Sequence, residues 1–304
     1  MKFTHIQPKD YQRYKPFFEN QQYDLCVYSL PSIIAWSNEA YQPLGAVKDN
    51  FFIIMVRFSN NSSRNHLILP ISPTGEYNPR ELFDLTNEAG IKTICHIPES
   101  YLTRHTLFEI EKFFLIFEQP DYHDYVFLTE DLAFLKGNKY SKKRNLINQF
   151  KRNYLVEDRV KIEPITPNVV DECLEFLDEW CLERNCDAGG KEDDLRCEKI
   201  AAINTLQNIS LLEVKGLLLR VDKVVMAFGI AAHLTDQMGT LQYEKAFARV
   251  KGLYQYFDNQ CAKRLFNNYK YINKESDMGV EGIQKAKKSY YPIMTSKSYK
   301  FLAK

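Results

Sequence analysis

Two apolar runs, residues 216–221 and 224–231, are separated by only Asp222 and Lys223. A two-residue connection closes an antiparallel hairpin. Around it, strand-like and helix-like segments alternate, a pattern that otherwise points to parallel pairing through crossovers. Together the two signals predict mixed sheets, an α/β or α+β fold. Upstream of the hairpin, residues 161–165 read as a strand and 169–183 as a helix. Downstream come a strand at 240–244, a helix at 252–266 with Leu253, Phe257, Cys261 and Leu265 inward, and a strand at 269–273. A helix at 281–290 and a strand at 297–302 follow.

The first half shows the same order. Residues 10–20 read as a helix, 25–36 as an apolar stretch, and 51–57 and 66–71 as strands around a polar loop at 59–65. A helix at 80–89 ends at Gly90, residues 93–97 read as a strand, 102–108 as a helix and 122–128 as a strand. No residue-level repeat accompanies this echo. The sequence predicts two domains, 1–155 and 156–304, with the boundary in the polar stretch near 153–159.

A 304-residue chain that is 45% hydrophobic and 13% aromatic can bury two cores. Its net charge of +1 excludes a uniformly basic surface, so nucleic acid would have to meet a local patch. No window reaches the ~20 apolar residues of a membrane span. Residues 1–10 lack the apolar core of a signal peptide. The expectation is a soluble, cytoplasmic protein. Seven cysteines form no CxxC pair, and Cys173, Cys181, Cys186 and Cys197 fall within one stretch. Cys173 and Cys181 share the apolar face of a helix with Leu177 and Trp180, so buried free thiols are expected and no metal. The six histidines fit neither HExxH nor a GxSxG elbow, and no phosphate-binding GxxxxGK[ST] or GxGxxG loop occurs. Kinase, hydrolase and dinucleotide readings drop.

Three constellations remain. Residues 136–152 hold seven basic side chains and no acid, with Leu146, Ile147 and Phe150 giving an apolar edge at helical spacing. Lys139, Lys142, Lys143 and Arg144 are candidate contacts to RNA or donor phosphates; a solvated linker helix has the same composition. Arg249, Lys251 and Gly252 sit where a strand gives way to a helix, a place where backbone N–H groups can meet a phosphate, or simply an ordinary turn. Glu244, Asn273, Glu275 and Asp277 lie at or past the ends of two strands. A carboxylate there, with its pKa raised by burial, could take a proton from an attacking amine. Glu275 and Asp277 could equally pair with Lys285 or Lys287, on the helix that follows.

The basic run at 135–150 and the stretch 271–292 together resemble the C-terminal catalytic domain of the phosphatidylglycerol lysyltransferases, in a stand-alone, soluble branch formerly of unknown function. The resemblance spans nearly the whole chain. It implies two tandem GNAT-like domains, similar also to Fem-type aminoacyltransferases. The donor would be aminoacyl-tRNA or acyl-CoA, with tRNA as partner in the first case, a small molecule or peptide as acceptor, and no tightly bound cofactor. It also implies a donor pocket where strands 224–231 and 240–244 splay, with the phosphate-facing turn at 249–254. Three departures stand out. The turn has only Gly252 where acetyl-CoA enzymes carry more glycines, and Gln284 replaces a basic residue. No stretch corresponds to the membrane-spanning part of the lipid enzymes, which speaks against a lipid acceptor. The expected mechanism is direct attack. Glu275 or Glu244 accepts the proton, N–H groups of the splayed strand meet the oxyanion, and Lys285, Lys287, Arg249 and Lys251 hold donor phosphates. A non-catalytic RNA- or nucleotide-binding module on the same fold is the alternative.

Overall fold

The computed structural model describes residues 1–156, 158–184 and 193–304, the side chains of 193–197 excepted. Fourteen strands occur among them: β1 (Thr4–His5), β2 (Tyr41–Lys48), β3 (Phe51–Phe58), β4 (His66–Leu67), β5 (Thr93–Pro98), β6 (Phe114–Glu118), β7 (Asp124–Leu128), β8 (Val160–Pro164), β9 (Lys215–Val221), β10 (Val224–Thr235), β11 (Met238–Ala246), β12 (Tyr271–Asn273), β13 (Met294–Ser296) and β14 (Ser298–Ala303). They make two seven-stranded mixed sheets, ordered β1-β2-β3-β4-β5-β14-β6 and β13-β7-β12-β11-β10-β9-β8.

The two sheets follow one plan. An antiparallel meander leads into a helix, and the next strand returns parallel to the last: β5 beside β4 after the helix Pro79–Ala89, and β12 beside β11 after the helix Leu253–Leu265. This is the expected GNAT-like mixed α/β arrangement, twice. Sheet membership, however, does not follow a division at 155/156. β7, from the first half, joins β12 in the second sheet, and β14, at the end of the chain, joins β5 in the first. Alternation along β7 shows how this stitches the molecule: Tyr125 and Phe127 enter one hydrophobic core and Val126 the other.

Local chemistry explains most elements. Asp222 and Lys223 both take the left-handed conformation, φ +51° and +72°, that a tight hairpin turn requires. Asn78 caps the helix Pro79–Ala89 by accepting from the N–H groups of Arg80 and Glu81, and Gly90 ends it at φ +68°. Cys173 and Cys181 are buried and in no disulfide, whereas Cys186 and the side chain of Cys197 lie outside the described residues. Several local readings change, and the strand read at 66–71 is regular only over β4, His66–Leu67. The single helix at 102–108 is two, Glu99–Arg104 and Leu107–Glu111, because Thr106 breaks the run and caps the second. Residues 41–48 form β2 despite Pro43 and Gly45. A Cβ on Gly45 would come within 2.6 Å of the Phe52 ring, so glycine there admits that ring to the core.

Among the described residues, no helix is long and apolar enough to cross a membrane, and no group of three or more His, Cys, Asp or Glu could hold a metal ion.

Candidate functional site

β10 and β11 are paired from Ala227 opposite Ala246 to Thr235 opposite Met238. The expected splay between residues 224–231 and 240–244 is therefore corrected: those strands are zipped, with two irregularities along the ladder, one leaving Gln242 and the other Leu234 unopposed. The parting lies one strand over. β11 and β12 pair only at Met238, Gly239 and Thr240, after which the chain leaves β12 at Asn273 and β11 continues through residues 241–246 with β10 as its sole partner strand. A cleft of about 2260 Å³ opens there and runs across to the first sheet.

Lys274, the residue just past β12, reaches into the parting. Its ammonium donates to Glu244 Oε2 at 3.0 Å and to Asp258 Oδ1 at 2.6 Å. The three side chains are only 12%, 13% and 5% exposed, so the group is an internal one and little screened by solvent. Burial, followed by the charge of Asp258, pushes the Glu244 carboxyl up to about 7, and Lys274 only partly offsets this. Burial works against the Lys274 charge, but Asp258 and Glu244 outweigh it and hold that ammonium above the ordinary lysine value. Glu244 Oε1 is buried with no hydrogen-bond partner, as are Gln242 Oε1 and Thr240 Oγ1 on the same strand. Tyr290 completes the group by hydrogen bonding to Asp258, and the Lys143 ammonium sits 3.8 Å above the Tyr290 ring.

A second cluster adjoins the first. Glu275 lines the cleft, with its backbone turned to φ +60°. Burial, then the nearby Asp124 carboxylate, pushes its carboxyl up to about 8, while Lys287 pulls the other way. Lys287 itself is spent: its ammonium donates to the carbonyls of Lys274 (2.6 Å), Glu275 (3.1 Å) and Ser276 (2.6 Å). It fastens the turn that carries both cleft residues, and the expectation that it binds donor phosphate is corrected.

The remaining expected residues are placed elsewhere. Asn273 is fully buried: its amide N–H groups donate to Asp24 O and Asp124 Oδ2, each at 2.8 Å, and its Oδ1 accepts from the Glu275 N–H. With its hydrogen bonds so spent it is a strut, which corrects the expected catalytic role. Asp277 accepts from the Tyr125 hydroxyl at 2.6 Å and the Gly279 N–H at 2.9 Å, and does not line the cleft. Gln284 also hydrogen-bonds to Tyr125 and Asp277. The Arg249 guanidinium pairs with Glu183 and lies over the Phe247 ring, exposed Lys251 points outside the cleft lining, and exposed Lys285 pairs with Glu281. Gly252, at φ +83°, lies under the helix Ser141–Tyr154, where a Cβ would collide with the Leu146 carbonyl. That helix covers the expected phosphate-facing turn. Gly252→Ala is expected to destabilise the protein by about 2–4 kcal/mol, combining left-handed strain with overpacking; chemical denaturation measures it, and an unchanged midpoint would refute the close packing.

Within the basic run, Lys139 pairs with Asp131, and the Arg144 guanidinium donates to the carbonyls of Leu135 (2.5 Å) and Gly137 (2.6 Å). Lys142 is exposed, and Lys143 turns into the cleft. Sequence reasoning missed Lys274 and Asp258. The candidates chosen at this strand end were Asn273, Glu275 and Asp277, whereas Lys274, between them and just past β12, also lines the cleft. It also missed Lys245, which is buried, pairs with Glu198 at 2.6 Å and sits 4.4 Å from the Trp180 ring at the cleft wall.

The family model described as phosphatidylglycerol lysyltransferase, C-terminal, matches residues 85–301. The chain belongs to this family. A conserved protein of unknown function from Bacteroides thetaiotaomicron VPI-5482 is similar at 27% identity over 100% of both chains, with a TM-score of 0.88. The C-terminal domain of a putative lysylphosphatidylglycerol synthetase from Agrobacterium fabrum shares the fold at 14% identity and a TM-score of 0.66, covering 96% of this chain and 91% of that one. FemX shares it at 8% identity and a TM-score of 0.58, covering 99% and 97%. No curated protein matches. The lysyltransferase-family fold thus accounts for the whole chain, including residues 1–84, which the family model leaves out.

Proposed function

We propose that this chain is an acyl- or aminoacyl-transferase that moves an acyl group from aminoacyl-tRNA or acyl-CoA to an amine or hydroxyl acceptor. One observation carries the reading: Glu244 lies where β11 leaves β12, buried, with one carboxylate oxygen unpartnered and its pKa near 7. Such a group is half deprotonated near neutrality, as a general base should be. In the reaction, the acceptor nitrogen or oxygen attacks the donor carbonyl carbon and its proton passes to Glu244. The carbonyl oxygen becomes an oxyanion within reach of the Lys274 ammonium and the Tyr290 hydroxyl. Collapse breaks the bond to the tRNA 3′ oxygen or the CoA sulfur, and the proton leaves with that group.

Donor phosphates would meet exposed cations on two adjoining helices. Lys142 and Lys151 lie on Ser141–Tyr154, and Lys263 and Arg264 lie on Leu253–Leu265. Burial, then Lys151 and Arg264 nearby, pushes the Lys263 ammonium down, which marks Lys151, Lys263 and Arg264 as neighbours. The family name supports lysyl transfer as the first reaction to try. The test is a thermal-shift comparison of CoA, acetyl-CoA and lysyl-tRNA, followed by a transfer assay with the donor that stabilises the protein. Stabilisation by one donor class, fading with added salt, is expected. If none of the three shifts the melting temperature, a transferase function with these donors is refuted.

A further inference from the structure

The cleft wall opposite Glu244 is built from the first sheet, and it holds two histidines that the transfer chemistry does not use. β5 and β14 pair at Ile97 with Tyr299 and at Ile94 with Phe301, leaving Cys95 and His96 opposite Lys300 alone. This is a β-bulge, a device that re-aims a side chain. His96 takes φ +57°, a left-handed conformation uncommon outside glycine, in which asparagine, aspartate and histidine are the enriched residues. The strained residue is held from both sides: its N–H donates to Gln119 Oε1 at 2.9 Å, and its carbonyl accepts from the Tyr28 hydroxyl at 3.0 Å. Its ring thereby comes to 5.8 Å from the ring of His66, centroid to centroid.

His66 has a defined tautomer. Its Nδ1 lies 2.8 Å from the Arg64 carbonyl, which can only accept, so Nδ1 carries the proton and Nε2 is a bare acceptor. That Nε2 is buried with no protein partner, on a residue only 6% exposed that lines the cleft. A buried acceptor left unmatched costs stability unless a ligand donor meets it. Burial lowers the pKa of both rings, that of His96 to about 3, so each is a neutral imidazole. The Arg64 guanidinium is engaged 4.2 Å above the Phe58 ring. Lys300, on the same wall, likewise lies 5.0 Å over the Phe117 ring, so both cations of the wall rest on aromatic faces while the two imidazoles present lone pairs to the cleft. Asn61 and Ser63 add uncharged polar groups, and Trp36 and Tyr41 add aromatic faces.

We propose that this wall is a second binding subsite, for an uncharged hydroxyl-bearing group of the sugar or polyol class, with His66 Nε2 accepting a ligand O–H. Planar amides beside aromatic rings suit such a group: amides bond neighbouring hydroxyls while the rings cover C–H faces.

The test uses the intact protein with 15N-labelled histidine. Ring nitrogens are followed by long-range 1H–15N correlation while glycerol and N-acetylglucosamine are added in separate titrations. A saturable movement of the His66 Nε2 resonance toward its hydrogen-bonded position, with either probe, is expected; which probe acts separates polyol from sugar. His66→Phe, which keeps a ring but removes the acceptor, should weaken binding at least tenfold. His96→Asn, which suits the left-handed backbone, should weaken binding without lowering the melting temperature, an outcome a purely structural histidine would not give. Linear shifts with both probes, or unchanged affinity in both variants, would overturn the proposal. No step requires transfer, so failure here leaves the role of Glu244 standing, and the reverse.

Discussion

Glu244→Gln is expected to lower kcat by about 10²–10⁴-fold with donor affinity nearly unchanged. The substitution keeps the size of the side chain and its contact with Lys274 but removes the proton acceptor. A pH profile sharpens the test. Glu244 titrates at about 7 in the folded protein, and only its deprotonated form accepts a proton. kcat/KM should therefore rise with pH through about 7 and then level, and the glutamine variant should lose that limb. Glu275, raised to about 8, is the alternative base on the same cleft. If Glu275→Gln removes the limb and Glu244→Gln does not, the base is Glu275, and the role given to Glu244 falls.

Lys274→Met is expected to cost about 3–5 kcal/mol, because it leaves the buried Glu244 and Asp258 carboxylates without their shared cation. For a chain of this size that corresponds to a fall in Tm on the order of 10 °C. The loss should depend on pH with a definite sign. Without Lys274, burial and the Asp258 charge hold the Glu244 carboxyl pKa still further above its unfolded value, so the folded state retains a proton that the unfolded state has released. The variant should be nearest the wild type near pH ~5 and weakest at alkaline pH. Adding Glu244→Gln and Asp258→Asn removes the stranded charges and should recover much of the loss. Thermal melts of the single and triple variants across pH measure this. A Tm for Lys274→Met equal to the wild type at alkaline pH would mean that the three groups are not the internal cluster seen here.

Much of the fold was legible in the sequence. The turn at Asp222 and Lys223, the capped helix before Gly90 and the apolar spacing of Leu253, Phe257, Cys261 and Leu265 are local signals, and the structure uses each as it reads. β2 was hidden by Pro43 and Gly45, and the value of Gly45 lies in a close approach to Phe52 that no local pattern announces. For the site, Glu244, Glu275 and Lys143 were found by charge and strand position, and all three line the cleft. Asn273, Asp277 and Lys287 have the same chemistry in the sequence, yet their hydrogen bonds are consumed by Asp24, Asp124, Tyr125 and the carbonyls of 274–276.

What the sequence determined by itself is set by forces that act within a few residues. Turn conformations, helix caps and the alternation of apolar side chains gave a mixed α/β chain with two cores. Only the tertiary structure decided which strands part. β11 and β12 separate because the chain leaves β12 after three residues, and helix Ser141–Tyr154 closes over Gly252 because glycine permits backbone to touch backbone. Whether a lysine meets two carboxylates or solvent depends on chain segments far apart in sequence. Lys274 becomes part of a buried charge group only once β11 and the helix Leu253–Leu265 are folded around it, because burial, and not composition, makes those charges strong.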